Sequence, residues 1–381
     1  MQAHQLSWSP AGGWRADGSD PVGADLVLYF GLRSALADGA RYHELRDMFA
    51  KAHVVGCSTG GQIVNDDVSD ELTAIALRFD RTRLRLAYEA VPGPEQSRRC
   101  GEAIGQRLAD ADLAGVFILS DGLSVNGSEL VAGVANVIGP GVPLTGGLAG
   151  DSALFEETLV GADCPPRRGQ VAAVGFYGTA IRMGHGSAGG WDEFGPRRRI
   201  TRSTGNVLYE LDAEPALDLY ERYLGEEDAR GLPGTALLFP LLIRDPEHHD
   251  QAVVRTILAI DRENRSMTFA GDVPEGWVAQ LMHGNFDRLA AGAAEAARQA
   301  RHGLGQAYDS DGVAVLVSCI GRRLLMEQRV IDEVEAAGAE LGSRIRRVGF
   351  YSYGEISPHG NAGVCQLHNQ TMTVTTLTEA A

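Results

Sequence analysis

The chain is poor in cysteine: Cys57, Cys100, Cys164, Cys319 and Cys365 are five in 381 residues, with no Cys-x-x-Cys pair. An odd count without paired spacing argues against a disulfide framework and a structural zinc site. Reduced thiols in a cytoplasmic protein are the expectation. No apolar run approaches the roughly 20 residues of a membrane span. Residues 1–22 lack the basic and apolar regions of a signal peptide and read as a tail or a docked arm. Basic residues are outnumbered, 34 Lys and Arg against 50 Asp and Glu, for a net charge of −16. That excludes an extended nucleic-acid footprint, which needs clustered cations. The ten histidines show no metal-ligand spacing, and His248 and His249 are adjacent.

What is present is repetition. Leu26 to Phe30 leads to Val54–Ile63 and then to Thr73–Phe79; Val116 to Ser120 leads to Val142–Asp151 and then to Val171–Tyr177; Val313 to Cys319 leads to Val348–Ile356 and then to Thr371–Leu377. Each copy reads as strand, helix, strand, glycine-rich turn and returning strand. The helical crossover makes the first two strands parallel, and the return makes the third antiparallel. The expected fold is α/β, with mixed parallel/antiparallel sheets built from repeated strand-helix-strand-turn-strand units in two domains, 23–214 and 215–381.

Helices are expected over 35–50, 95–109, 128–138 and 215–224. The apolar face of the third, Leu130, Val131, Val134, Val137 and Ile138, carries a 3.6-residue period. The glycine-rich stretch 182–196 reads as a loop. Strands are expected over 237–239, 253–260 and 266–269, and one long alanine-rich helix over 277–301, weakened at Gly284.

Glycine turns at strand ends let a backbone approach a ligand closely. Cys57-Ser58-Thr59-Gly60-Gly61 offers hydroxyls and N–H groups to an anion or carboxylate, but lacks the Lys-Ser/Thr of a phosphate-binding loop. Its counterpart holds Thr145, Gly146, Gly147 and Asp151, the last placed to pair with an amine or to cap a turn. Asp121 ends a buried strand and serves backbone donors or a ligand equally well. Cys319, close to Arg322, reads first as a buried small hydrophobe, with a reactive thiol as the alternative. One histidine suffices for haem, and His185, His283, His359 and His368 are the candidates. Thiols combined with His368 and Glu355 leave an enzyme open, without a local signature.

The quoted turns resemble those of the FIST proteins. The matching segments are Gly56-Cys-Ser-Thr-Gly-Gly-Gln-Ile63, Asp121-Gly-Leu123, Thr145-Gly-Gly-Leu-Ala-Gly-Asp151 and Gly205-Asn-Val-Leu-Tyr-Glu-Leu-Asp212 in the first half. In the second half they are Pro240-Leu-Leu-Ile243, Ser318-Cys-Ile-Gly-Arg322, Gly349-Phe-Tyr-Ser-Tyr-Gly-Glu-Ile356 and Leu367-His-Asn-Gln-Thr371. The resemblance implies a cytoplasmic, non-enzymatic sensor of a small ligand in signal transduction, with Tyr353, Glu355, His368 and Asn369 added to the ligand-binding positions. It implies either haem b with nitric oxide, for which the family motif assigns no histidine and His185, His283 and His359 are candidates from the residues alone, or an amino-acid-like ligand without haem. A sensor histidine kinase or other signalling protein is the implied partner, and a homo-oligomer stays open.

Overall fold

The structure is a computed structural model and describes all residues except 19–22, 248–251, 306, 308, 309, 360–363 and 381, with the side chains of residues 359 and 364 also outside it. His248 and His249 therefore lie outside the described residues.

The first copy opens with the hairpin β1 (Gln2–Ser9) and β2 (Gly13–Ala16). It continues with β3 (Leu26–Gly31), α1 (Arg33–Leu36), α2 (Ala40–Met48), β4 (His53–Ser58), β5 (Gln62–Val64), β6 (Asp67–Ser69) and β7 (Thr73–Arg78). The helix expected over 35–50 is thus split, because Gly39 has φ 71°. The second copy comprises β8 (Arg83–Ala90), α3 (Ser97–Leu108), β9 (Leu113–Ser120), α4 (Gly127–Ile138), β10 (Leu144–Leu148), β11 (Val160–Ala162) and β12 (Gln170–Tyr177). Asn126 caps α4, its side chain accepting from Glu129 N.

The third copy begins with β13 (Ile181–Ala188) and is then interrupted. An inserted unit follows: β14 (Trp191–Thr204), β15 (Val207–Leu211), β16 (Glu214–Pro215), α5 (Ala216–Arg230), β17 (Leu241–Arg244), β18 (Ala252–Arg255), β19 (Ile257–Asp261), β20 (Ser266–Phe269) and β21 (Val278–Gly284). The copy resumes with α6 (Phe286–Gly303), β22 (Gly312–Cys319), α7 (Ile320–Met326), α8 (Val330–Leu341), β23 (Ile345–Ser352), β24 (Gly354–His359), β25 (Val364–His368) and β26 (Met372–Glu379).

Three sheets of one design result, ordered β11-β4-β3-β7-β1-β2, β24-β10-β9-β12-β8 with β25 beyond β24, and β5-β23-β22-β26-β13 with β6 beyond β5. In each, the first two strands of a copy are parallel and the returning strand is antiparallel, as the crossover predicts. The unexpected element is the short strand after each glycine turn. It leaves its own sheet: β5 pairs with β23, β24 with β10 and β11 with β4. First copy gives to third, third to second and second to first, closing a pseudo-threefold ring. The inserted unit forms a separate antiparallel sheet, β18-β17-β21-β14-β15-β20-β19, with its own core around Tyr220, Met267 and Phe269.

Three expectations fail for physical reasons. Residues 182–196 are strand rather than loop. The glycines are there because α6 lies directly on β13: a Cβ at Gly184 or Gly186 would meet the Ala300 or Ala296 carbonyl at 2.0 Å. The buried stripe Ala293, Ala296, Ala297 and Ala300 is the helix's half of that contact. The helix expected over 277–301 is β21 followed by α6. Asn285 caps α6 by accepting from Asp287 N and Arg288 N. Residues 237–239 lie at the end of a 3₁₀ turn, Gly234–Leu238.

Candidate functional site

The three glycine turns do meet. Their main chains close a ring: Gly60 N donates to Tyr351 O (2.7 Å), Tyr353 N to Leu148 O (3.3 Å) and Gly150 N to Ser58 O (2.9 Å). The register glycines of the three copies, Gly56, Gly146 and Gly349, serve the packing of the neighbouring strand. A Cβ there would meet the carbonyls of Tyr29, Ile118 and Leu316 at 2.3, 1.9 and 2.0 Å. These glycines admit protein backbone, which is the close approach the sequence pattern signals.

The polar groups at this junction are mostly spent on the fold. Ser58 Oγ accepts from Leu159 N, and Thr59 Oγ1 donates to Gly31 O. A Cβ at Gly60 would meet Ile320, at Gly61 Arg323 and at Gly147 Val317. Asp121 accepts from Leu123 N, Ser124 N and Gly169 N. Asp151 accepts from Phe155, Glu156 and Glu157 N–H groups, takes the Tyr353 hydroxyl and faces Arg33 at 3.3 Å. Arg322 is fully buried on Glu333 at 2.7 Å and donates to Leu289 O and Gly189 O. Glu355 accepts from Ser352 Oγ and from the Thr371 N–H and hydroxyl. His368 Nε2 is 3.0 Å from Ser357 O, and Asn369 Nδ2 donates to Tyr353 O. Thr145 Oγ1 and Asn369 Oδ1 are the buried atoms of this set without a partner among the described residues.

Burial pushes the Cys57 thiol well up, and also that of Cys319, where Glu355 adds to burial and Arg322 opposes it only weakly. The arginine therefore does not make Cys319 a reactive thiolate. The sequence also holds a Gly-x-Ser-x-Gly spacing, Gly56 to Gly60. Ser58 is fully buried and the chain continues into β5 instead of a helix, so the exposed nucleophile of that motif is lacking.

Haem can be tested on the candidate histidines. His185 lies on the face of β13 opposite the one α6 covers, half-buried, and burial lowers its pKa. His283 is exposed on β21 beside the Phe194 ring at 5.6 Å. The His359 side chain lies outside the described residues. His185 and His283 lie away from both the turn junction and the cleft described next, while His368 is buried at the junction with its Nε2 on Ser357 O. Among the described residues no three His, Cys, Asp or Glu side chains are grouped to hold a metal ion.

One open site is a cleft of about 220 Å³ between the inserted unit and the threefold body. The start of α4 contributes Ser128, Val131 and Ala132, β25 contributes Cys365, Gln366 and Leu367, and the insert contributes Ile243, Val253, Arg255, Asp272, Pro274 and Trp277. Arg255 is only 6% exposed. Its Nε donates to Asp272 O (3.0 Å) and its Nη1 to Leu367 O (2.9 Å), so it ties insert to body. Those bonds use two of its five N–H donors. Burial pulls its pKa down to about 10, partly offset by Asp272, so it remains a cation at neutral pH. Asn126 Nδ2 donates to Asp272 Oδ1 (3.0 Å). Gly271 makes room: a Cβ there would stand 3.0 Å from both Ser128 Oγ and the Arg255 guanidinium carbon. Ser128 Oγ and Gln366 Oε1 are buried and without a partner among the described residues.

None of Arg255, Asp272, Ser128, Gln366 and Trp277 was singled out as a binding residue from sequence. One signal was present: Arg255 interrupts the apolar strand Val253-Val-Arg-Thr-Ile257, and a charge inside a buried strand asks for a partner.

Comparison with known proteins agrees with the architecture. An alignment of 216 positions that covers 49% of the chain is 26% identical to an uncharacterised protein of Methanocaldococcus jannaschii, and covers 36% of that relative's length. Residues 25–214 match the FIST N domain and residues 216–358 the FIST C domain. FIST domains are associated with small-ligand sensing in signal transduction and signal to partner proteins. With both domains matched in order over most of its length, the chain belongs to the FIST family.

Proposed function

We propose that this protein is a haem-free sensor whose ligand, an α-amino acid with an apolar side chain, occupies the cleft between insert and threefold body. The observation that carries the reading is the buried Arg255 cation beside Asp272, with Ser128 Oγ and Gln366 Oε1 left without partners among the described residues. The ligand carboxylate meets Arg255 and the Ser128 hydroxyl at the positive end of α4. Its ammonium meets Asp272 and Gln366 Oε1. Its side chain rests on Val131, Ile243 and Trp277. The cleft volume of about 220 Å³ lies below the roughly 300–1,000 Å³ of drug-sized sites, in keeping with a ligand far smaller than a porphyrin.

Sensing follows from where the walls come from. The second copy, the third copy and the insert each supply one, so an occupied cleft favours one arrangement of insert and body over others. A partner protein in the cytoplasm, a sensor histidine kinase on this reading, responds to that arrangement.

Calorimetry with L-leucine, 4-methylpentanoate and 3-methylbutylamine tests this. L-leucine is expected to bind at least tenfold tighter than either half-charged analogue, and Asp272→Asn to erase its advantage over 4-methylpentanoate. No heat and no thermal shift with any apolar amino acid sinks the proposal.

A further inference from the structure

β8 ends the second sheet. Its register with β12 runs from Arg83↔Tyr177 to Ala90↔Gln170, and Val91 N donates to Gly169 O just beyond. That bond fixes the phase of the ladder. Residues 83, 85, 87 and 89 exchange hydrogen bonds with β12, so Leu84, Leu86 and Tyr88 turn their N–H and C=O groups outward. The Arg107 guanidinium at Tyr88 O (2.7 Å) agrees with that phase and leaves the carbonyl a second lone pair. The equivalent strand of the first copy, β1, has its outer edge paired by β2, whereas among the described residues no strand pairs with the outer edge of β8, where Tyr88 is 44% exposed.

The sequence of β8 is complementary to itself. Antiparallel pairing about Leu86 sets Leu84 against Tyr88 of the second copy and Leu86 against Leu86 on one face. On the other face it sets Arg83, paired within its own chain with Asp110 and Asp112, against Glu89, paired within its own chain with Arg107, so that at both ends the cross-strand pair would extend an existing charge network. Aliphatic–aromatic and opposite-charge cross-strand pairs are those that stabilise a ladder, and like charges oppose it. The third equivalent, β13, also ends its sheet but contains Arg182 with no acidic residue to face it. We infer that a second copy of this chain docks on β8, joining two six-stranded sheets edge to edge through a twofold axis at Leu86.

Sedimentation of the full chain at micromolar concentration tests it. The expected species is a dimer of the 40.6 kDa chain. Arg83→Glu and Glu89→Arg, which place like charges opposite each other, are each expected to sediment as monomers. An equimolar mixture of the two restores opposite charges at both ends and is expected to give the dimer again. A monomeric native chain overturns the inference, as do single variants that stay dimeric or a mixture that stays monomeric. Hydrogen exchange on the native protein gives a reading free of variants. The Leu84, Leu86 and Tyr88 amides should slow at least tenfold from low to high protein concentration, and unchanged exchange overturns the inference equally.

Discussion

The turn junction and the cleft are both polar, and both bring together residues distant in sequence, yet they differ in how their polar groups are spent. At the junction a carboxylate such as Asp121 or Asp151 holds three main-chain N–H groups, and the buried Arg322 is matched by Glu333. In the cleft, Arg255 keeps donors in reserve, and Ser128 Oγ and Gln366 Oε1 have no partner among the described residues; at the junction Thr145 Oγ1 and Asn369 Oδ1 are the exceptions to a set otherwise spent. A full set of internal partners marks a group that holds the fold. A buried group short of partners marks one that awaits something else. Removing groups in the two places should therefore act on different observables.

The largest effect is expected from Arg322→Met. It strands Glu333, which also accepts from Ser318 Oγ and Tyr351 OH, and breaking a buried pair from one side costs about 3–5 kcal/mol. Urea denaturation should show a loss of that order, while affinity for the cleft ligand of the surviving folded fraction stays within twofold. A loss under about 1 kcal/mol would put Arg322 outside the fold-holding set.

Next is Glu355, whose carboxyl burial pushes up to about 8 despite bonds from Ser352 and Thr371. A carboxyl raised in the folded state contributes fully below its unfolded value near 4.5, and that contribution is lost as pH rises through 8. The native protein should thus lose stability between those limits relative to Glu355→Gln, measured as the difference in urea midpoint against pH. Parallel profiles would refute the shift.

The smallest change in stability belongs to Ser128→Ala. Its hydroxyl has no partner to lose, so stability should move by no more than about 0.5 kcal/mol, whereas affinity for L-leucine should fall about tenfold with the loss of a hydrogen bond to a carboxylate. A change in stability with unchanged affinity would reverse the comparison between the two regions.

The strand pattern was legible because alternation and apolar runs report burial directly: the first two strands and the return of every copy lie where periodicity puts them. The junction was legible as a place and opaque as to purpose, since Gly56, Gly146 and Gly349 look alike whether they admit a ligand or a neighbouring carbonyl. The strand exchange of β5, β11 and β24 was hidden because these strands are short and pair only with distant copies. The cleft was hidden for a related reason: Ser128, Arg255 and Gln366 come from three separate parts of the chain, and each has an ordinary local role. Gly184 and Gly186 misled because a glycine-rich segment is read as a turn, and the alanine stripe of α6 that explains them lies over a hundred residues away.

The cyclic exchange of strands makes the three copies behave as subunits strung on one thread. A copy cut out alone would carry a strand with no host and a sheet lacking its neighbour, with bare edges at both places. It could become soluble only by assembling with two others. Truncation at any copy boundary should therefore unravel all three sheets at once, and the long-range pairing it interrupts implies that the intact chain folds slowly, since its last copy supplies strands needed by its second.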